Sequence, residues 1–174
     1  MEFKIIKTKK DISDKDGQAN YLIDADEKTA RGIVASLKNK KFGGKIGVFG
    51  RDDNFNRRAL ETLKINYLVS PELGQRRDTL KQRDSGLNHV LAKIAKQNKI
   101  VIVIDFKDIN KLKGKQKALR LARIIQNIKV CRRAKCKMKI WDLDNKADGK
   151  TLGALGFSLG MSSQQVKEAV DKNP

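Results

Sequence analysis

Ile100-Val101-Ile102-Val103-Ile104-Asp105 is the stretch that decides the fold. Its β-branched run, stopped by a carboxylate, leaves no polar face for water, so it reads as a strand buried on both sides. Such strands belong to parallel sheets, whose crossover helices cover both surfaces. The neighbouring segments agree. Upstream, Leu87, Val90, Leu91, Ile94 and Ala95 recur at helical spacing and predict an amphipathic helix over 87–97. Downstream, residues 114–134 predict a long helix with Ala118, Leu121, Ala122, Ile125 and Ile128 on one face. Arg120 and Arg123 are expected to point away from that face.

The alternation continues outward. Residues 3–7, 21–23, 46–49, 65–69 and 139–143 have strand character, and 9–20 are polar and read as a loop. Ala30, Ile33, Val34 and Leu37 mark a helix that Asp24 or Asp26 can cap, and Gly43-Gly44 ends it. A short helix is expected over 54–63, and another over 152–159 closed by Gly160. Ser162-Ser163-Gln164-Gln165 is a capping box for a last helix. Strand and helix in turn mean an α/β fold with a parallel sheet, open or closed into a barrel. The chain has 174 residues. A full eight-stranded barrel takes at least roughly 200. The most that follows is a single α/β domain spanning residues 1–174, with an open sheet or a trimmed or irregular barrel.

Charge narrows the partner class. The formal net charge is +19, and 39% of the residues are hydrophobic, enough to fold. A compact domain with that excess repels itself and is suited to a polyanion, RNA or DNA first. Between residues 107 and 139 there are 13 Lys and Arg against one acid, Asp108. Phosphates would screen such a run, with counterion release supplying much of the affinity. The aromatic content of 5% argues against binding single strands mainly by stacking. No segment is long and apolar enough to span a membrane, and the N-terminus does not resemble a signal peptide, so a cytoplasmic location is expected. Cys131 and Cys136 lack co-ligands for zinc and are expected as reduced thiols.

The segment with the most chemistry is the loop before the central helix. Arg76, Arg77, Lys81 and Arg83 follow the strand that ends at Val69, and in a parallel α/β fold that places them at the functional face. Asp84 or Ser85 can cap the following helix, whose first amides can receive a phosphate. His89 is the single histidine and falls off the apolar stripe. It reads as a helix-start residue bonded to nearby backbone, or as an RNA or partner contact. As a catalytic base it lacks an orienting partner. Asp105, Asp142 and Asp144 stand at strand ends. A metal phosphoesterase would need several histidines beside them, so they read as helix caps or lysine partners. Trp141 reads as core, and Gly149, Gly153, Gly156 and Gly160 as close helix packing.

Asp84-Ser85-Gly86-Leu87-Asn88-His89-Val90-Leu91-Ala92-Lys93 resembles the central motif of the ribonuclease P protein component 3 family, the archaeal counterpart of the thirty-kilodalton eukaryotic subunit. Ile65-Asn66-Tyr67-Leu68-Val69-Ser70-Pro71 upstream and Leu155-Gly156-Phe157-Ser158-Leu159-Gly160-Met161 downstream continue the likeness. The loop from Gly74 to Asp84 is longer than the glycine-arginine-lysine turn common in the family. The resemblance implies a TIM-barrel-like subunit of the ribonucleoprotein that removes the 5′ leader from precursor tRNA. It implies no catalytic residue and no cofactor in this chain, with Mg2+ used by the RNA subunit. The implied partners are ribonuclease P RNA, precursor tRNA through the holoenzyme, and protein component 2 in a heterodimer or heterotetramer. Candidate RNA or partner contacts are then Arg76, Arg77, Lys81, Arg83, Ser85, Asn88 and His89. Lys107, Arg120, Arg123, Arg132 and Arg133 extend the set along the basic run. The two other readings are a general RNA- or DNA-binding protein and a metal-dependent phosphoesterase on a related barrel.

Overall fold

The structure is a computed structural model that describes residues 3–12, 19–39, 42–79, 83–144 and 146–170. Among them are six strands: β1 Phe3–Ile6, β2 Asn20–Ile23, β3 Ile46–Phe49, β4 Tyr67–Val69, β5 Val101–Asp105 and β6 Met138–Trp141. All pair in parallel and in chain order, with Leu68 opposite Ile102 and Asp105 opposite Trp141. The connecting helices are α1 Glu27–Asn39, α2 Asp53–Glu61, α3 His89–Gln97, α4 Phe106–Lys111, α5 Gly114–Ala134, α6 Gly149–Ser158 and α7 Ser163–Val170. Among the described residues, the link from β1 to β2 carries a 3-10 turn, Lys9–Asp11, where a loop is expected.

The sheet is strongly curled. In a flat sheet, steps of about 4.8 Å between neighbours would put β1 and β6 roughly 24 Å apart. Instead the Phe3 ring of β1 lies 4.8 Å from Trp141 of β6, and both touch Tyr67 of β4. These rings, with Leu22, Val69 and Val103, fill the inside of the curl. The larger core lies outside it, where Leu68, Ile102, Ile104 and Ile140 meet the buried faces of the helices. The arrangement is TIM-barrel-like, and six strands stand where a complete barrel has eight.

Burying β5 on both faces follows from its composition: Ile102, Val103 and Ile104 are sealed. α5 begins and ends where its pattern predicts, closed by Lys135 in the left-handed region and a Cys136 N–H to Cys131 carbonyl bond of 2.9 Å. The α7 capping box is formed, with Ser162 N–H donating to Gln165 Oε1 and Gln165 N–H to Ser162 Oγ. Asp26 caps α1, accepting the Thr29 N–H at 3.1 Å, while Asp24 pairs with Arg51. α4 is an unforeseen helix, started by Asp105 as it accepts the Lys107 N–H. Both cysteines are free and buried. Among the described residues, no helix is long and apolar enough to cross a membrane.

Candidate nucleic-acid interface

The chain leaves β4 at Val69 and turns at Ser70, whose φ of 48° lets it reverse into the basic loop. That loop is fastened from two sides. On one side is Asn56 of α2, fully buried at a position that helical spacing assigns to the core beside Phe55, Ala59 and Leu60. Its Nδ2 donates to the Pro71 carbonyl at 2.8 Å and the Gly86 carbonyl at 3.0 Å, and its Oδ1 accepts the Arg51 N–H. A buried amide is retained because its donors and acceptor are used.

On the other side is α5. Arg120 and Arg123 lie three residues apart on one helix face, and Gln126 and Asn127 follow three and four residues after Arg123. Arg123 Nε donates to Asp78 Oδ1 at 3.1 Å, and its Nη2 to Asp78 Oδ2 at 3.3 Å. Gln126 donates to the Arg83 carbonyl, and Asn127 to the Ser85 carbonyl at 3.0 Å. Arg120 bridges Asp108 at 2.7 Å and Glu72 at 3.7 Å. The expectation that Arg120 and Arg123 point away is therefore corrected. Glu72, Asp78 and Asp108 give them partners toward the loop, and the apolar face is rotated onto Ile124, Ile128 and Cys131, leaving Ala118 exposed.

Arg76 is the hub of the loop. Its side chain is 1% exposed, so it is not presented at the surface. It bonds the carbonyls of Leu73, Pro71 and Arg51 and the carboxylates of Asp53 and Asp84. A buried guanidinium needs this many acceptors to offset its lost hydration. Gly86 (φ +70°) makes the hub possible: a Cβ there would lie 1.9 Å from the Pro71 carbonyl oxygen and 2.4 Å from Arg76 Nη2.

Burial dominates the carboxyl of Glu72 and pushes it up to about 7, despite Arg120 and Arg76. Asp105 is pushed up to about 6 by burial and by Asp108. Asp78 is held below the usual carboxylate range: burial opposes this, but the bonds from Arg123 and the Asp84 N–H outweigh it.

The other candidate residues separate into engaged and exposed. Ser85 is buried and donates to the Leu87 carbonyl. Asn88 is exposed and caps α3, its Oδ1 accepting the Leu91 N–H at 2.9 Å. That corrects the expectation of Asp84 or Ser85 as cap: both are bonded elsewhere, so the helix starts later, at His89. His89 is exposed on the first turn. Lys107 pairs with Asp144, while Asp142 accepts backbone N–H groups of residues 144, 146 and 147. Arg132 bonds Gln165 and the Gly160 carbonyl, and Arg133 is exposed. Lys81 lies outside the described residues. Arg77 and Arg83 are exposed, and among the described residues the Arg83 guanidinium holds a long 3.5 Å contact with Asp78.

Beside the fastened loop runs a groove of about 600 Å³, floored by Gly86, Leu87, Val90 and Leu91. Arg57, Arg77 and Arg83 stand along it. Val90 is 61% exposed there, not in the core as the stripe predicts; α3 buries Leu91 and Ala95 as expected, and Ala92 in place of Val90. Arg57, Asn54, Asn56, Glu72, Asp78, Gln126 and Asn127 escape a reading by charge alone. Their signal is subtler: Asn56 is a polar residue at a position that periodicity assigns to the core, whereas Asn127 joins the buried row with Ile124, Ile128 and Cys131 only because the face of α5 is rotated. Among the described residues, no group of three or more His, Cys, Asp or Glu could hold a metal ion.

No family model matches the chain. It is similar to ribonuclease P protein component 3 of Methanocaldococcus jannaschii, 31% identical over 113 residues, covering 63% of this chain and 46% of that protein. The counterpart in Methanococcus maripaludis is 28% identical over 119 residues, covering 62% of this chain and 48% of its own length. The chain thus spans about half the length of the curated relatives it matches. Among solved structures, a chain in a cryo-EM structure of archaeal ribonuclease P with mature tRNA superposes with a TM-score of 0.73. That match has 21% identity and covers 97% of this chain and 77% of the other, which shows the fold.

Proposed function

We propose, from the premise that this chain is a relative of ribonuclease P protein component 3, that it is a protein subunit of a ribonuclease P ribonucleoprotein. In that reading it supports RNA-catalysed removal of the 5′ leader from precursor tRNA. The similarity to curated component 3 proteins carries the reading. The charge of +19 and the cationic groove agree with it. Cleavage chemistry belongs to the RNA subunit and its Mg2+. This chain's contribution is a rigid cationic surface that neutralises phosphates and holds the RNA in register.

The geometry divides the arginines by task. Arg76, Arg120 and Arg123 spend their charge inside the fold, shaping the loop. Arg77, Arg83 and Arg133 face solvent and are the proposed RNA contacts. Protein component 2 is the proposed protein partner, in a heterodimer or heterotetramer. The test is reconstitution with the organism's own ribonuclease P RNA and component 2, read as precursor-tRNA cleavage. Omitting this chain should slow cleavage at low Mg2+ at least about tenfold, a loss of about 1.4 kcal/mol of transition-state stabilisation. Equal rates with and without it would refute the proposal.

A further inference from the structure

We infer that the groove between α2 and α3 is a binding site for an unpaired ribonucleotide, bulged or looped out of the partner RNA. This deepens the proposed function and rests on it. The groove combines three kinds of surface. Its cations are free to meet phosphates: Arg77 has no side-chain partner among the described residues, Arg83 has only its long contact, and Arg57 uses Nε on Glu61 while its terminal nitrogens stay available. Its two acids do not cancel them: Asp53 and Asp84 share the single charge of buried Arg76, which offsets one of the two, so the three arginines keep an excess of positive charge. Its floor is apolar, where Leu87, Val90 and Leu91 line it and Val90 is left uncovered.

Amide groups complete it. Asn54 and Asn88 stand on the lining, and Gln126 donates through Nε2 to Arg83, which leaves its Oε1 to accept. A regular duplex presents phosphates on a convex surface and hides its bases, so it has no use for an apolar floor flanked by amides. An unstacked nucleotide offers phosphate, a flat ring and polar edges together. Among the described residues no aromatic side chain lines the groove, so the ring would lie against Val90 and the arginine planes. The volume of about 600 Å³ is in the range of small-molecule sites.

The test uses the full chain and two fluorescein-labelled RNA hairpins, one fully paired and one with a bulge holding each base once. Anisotropy titrations across a salt series should show the bulged hairpin bound about tenfold more tightly. Val90→Ser, at an exposed position, should cut that preference about threefold and leave the salt slope alone. Removing Arg77 and Arg83 by Ala should lower the slope by about 0.7 for each arginine. Arg133→Ala, on α5 and outside the groove, should weaken both hairpins alike. Equal affinity for the hairpins overturns the inference, as does an unchanged preference in Val90→Ser. A Val90→Ser chain that binds RNA normally but loses component 2 makes the groove a protein interface and overturns it too. Failure of the broader reading is separate: the wild-type chain would then leave precursor-tRNA cleavage unaffected. A chain that supports cleavage but shows no bulge preference loses only the groove.

Discussion

Gly86 and Glu72 show how single residues give the loop its shape. Gly86 sits where a side chain would strike the Pro71 carbonyl and the Arg76 guanidinium, so the motif's glycine is explained by packing before any ligand is considered. Glu72 carries a different tension. It is buried among Arg120, Arg76, Asp108 and Asn127, and its carboxyl is pushed up from 4.5 to about 7. Between those values the folded state keeps a proton that the unfolded chain releases. Stability from this group is therefore highest below the unfolded value and falls as pH rises toward 7, by up to about 3 kcal/mol. Asp105 adds a fall in the same direction up to about pH 6. Glu72→Gln, which keeps an oxygen for Asn127, should flatten urea-unfolding stability between pH 5 and 7.5 and be at least as stable as wild type at pH 8. A variant with the wild-type pH slope would show that Glu72 does not titrate in that window.

Elements were legible where one face decides them. α5 and α7 could be placed along the chain, because helical spacing and a capping box are local signals, although the buried face of α5 is rotated from the one its spacing predicts. α3 was legible in existence but not in phase. Its periodic stripe puts Val90 inside, yet the helix packs through Leu91, Ala92 and Ala95 against α2 and α5. The apolar arc is wide enough to be rotated, and only the neighbouring helices select which part is covered. The cap followed from the same competition: the network took Asp84 and Ser85, and Asn88 remained. Asn88→Ala should cost about 1 kcal/mol of stability in chemical denaturation, whereas Ser85→Ala should leave the α3 cap intact. A negligible loss for Asn88→Ala would mean that the first turn of α3 is held by packing alone.

At the scale of the whole molecule, charge and curvature set behaviour. The net charge of +19 survives the internal ion pairs, so the fold stores self-repulsion that counterions relieve. Raising NaCl from about 50 to 300 mM should raise the Tm by roughly 2–4 °C, about 1 kcal/mol, while RNA affinity falls steeply over the same range. A Tm that falls with salt would mean that attractive pairs outweigh repulsion. By itself the sequence determined the alternation of strand and helix, the buried central strand and the strong positive charge on which the proposed polyanion partner rests, because periodicity, β-branching and net charge are properties of the chain alone. The tertiary structure decided which arginines are free. Arg76, Arg120 and Arg123 look like Arg77 and Arg83 in a row of letters, and acids distant in sequence, Asp53, Asp108 and Asp78, draw the first three inward. It also decided the curl that brings Phe3 against Trp141, since ring contact between the first and last strands depends on how six short strands twist together.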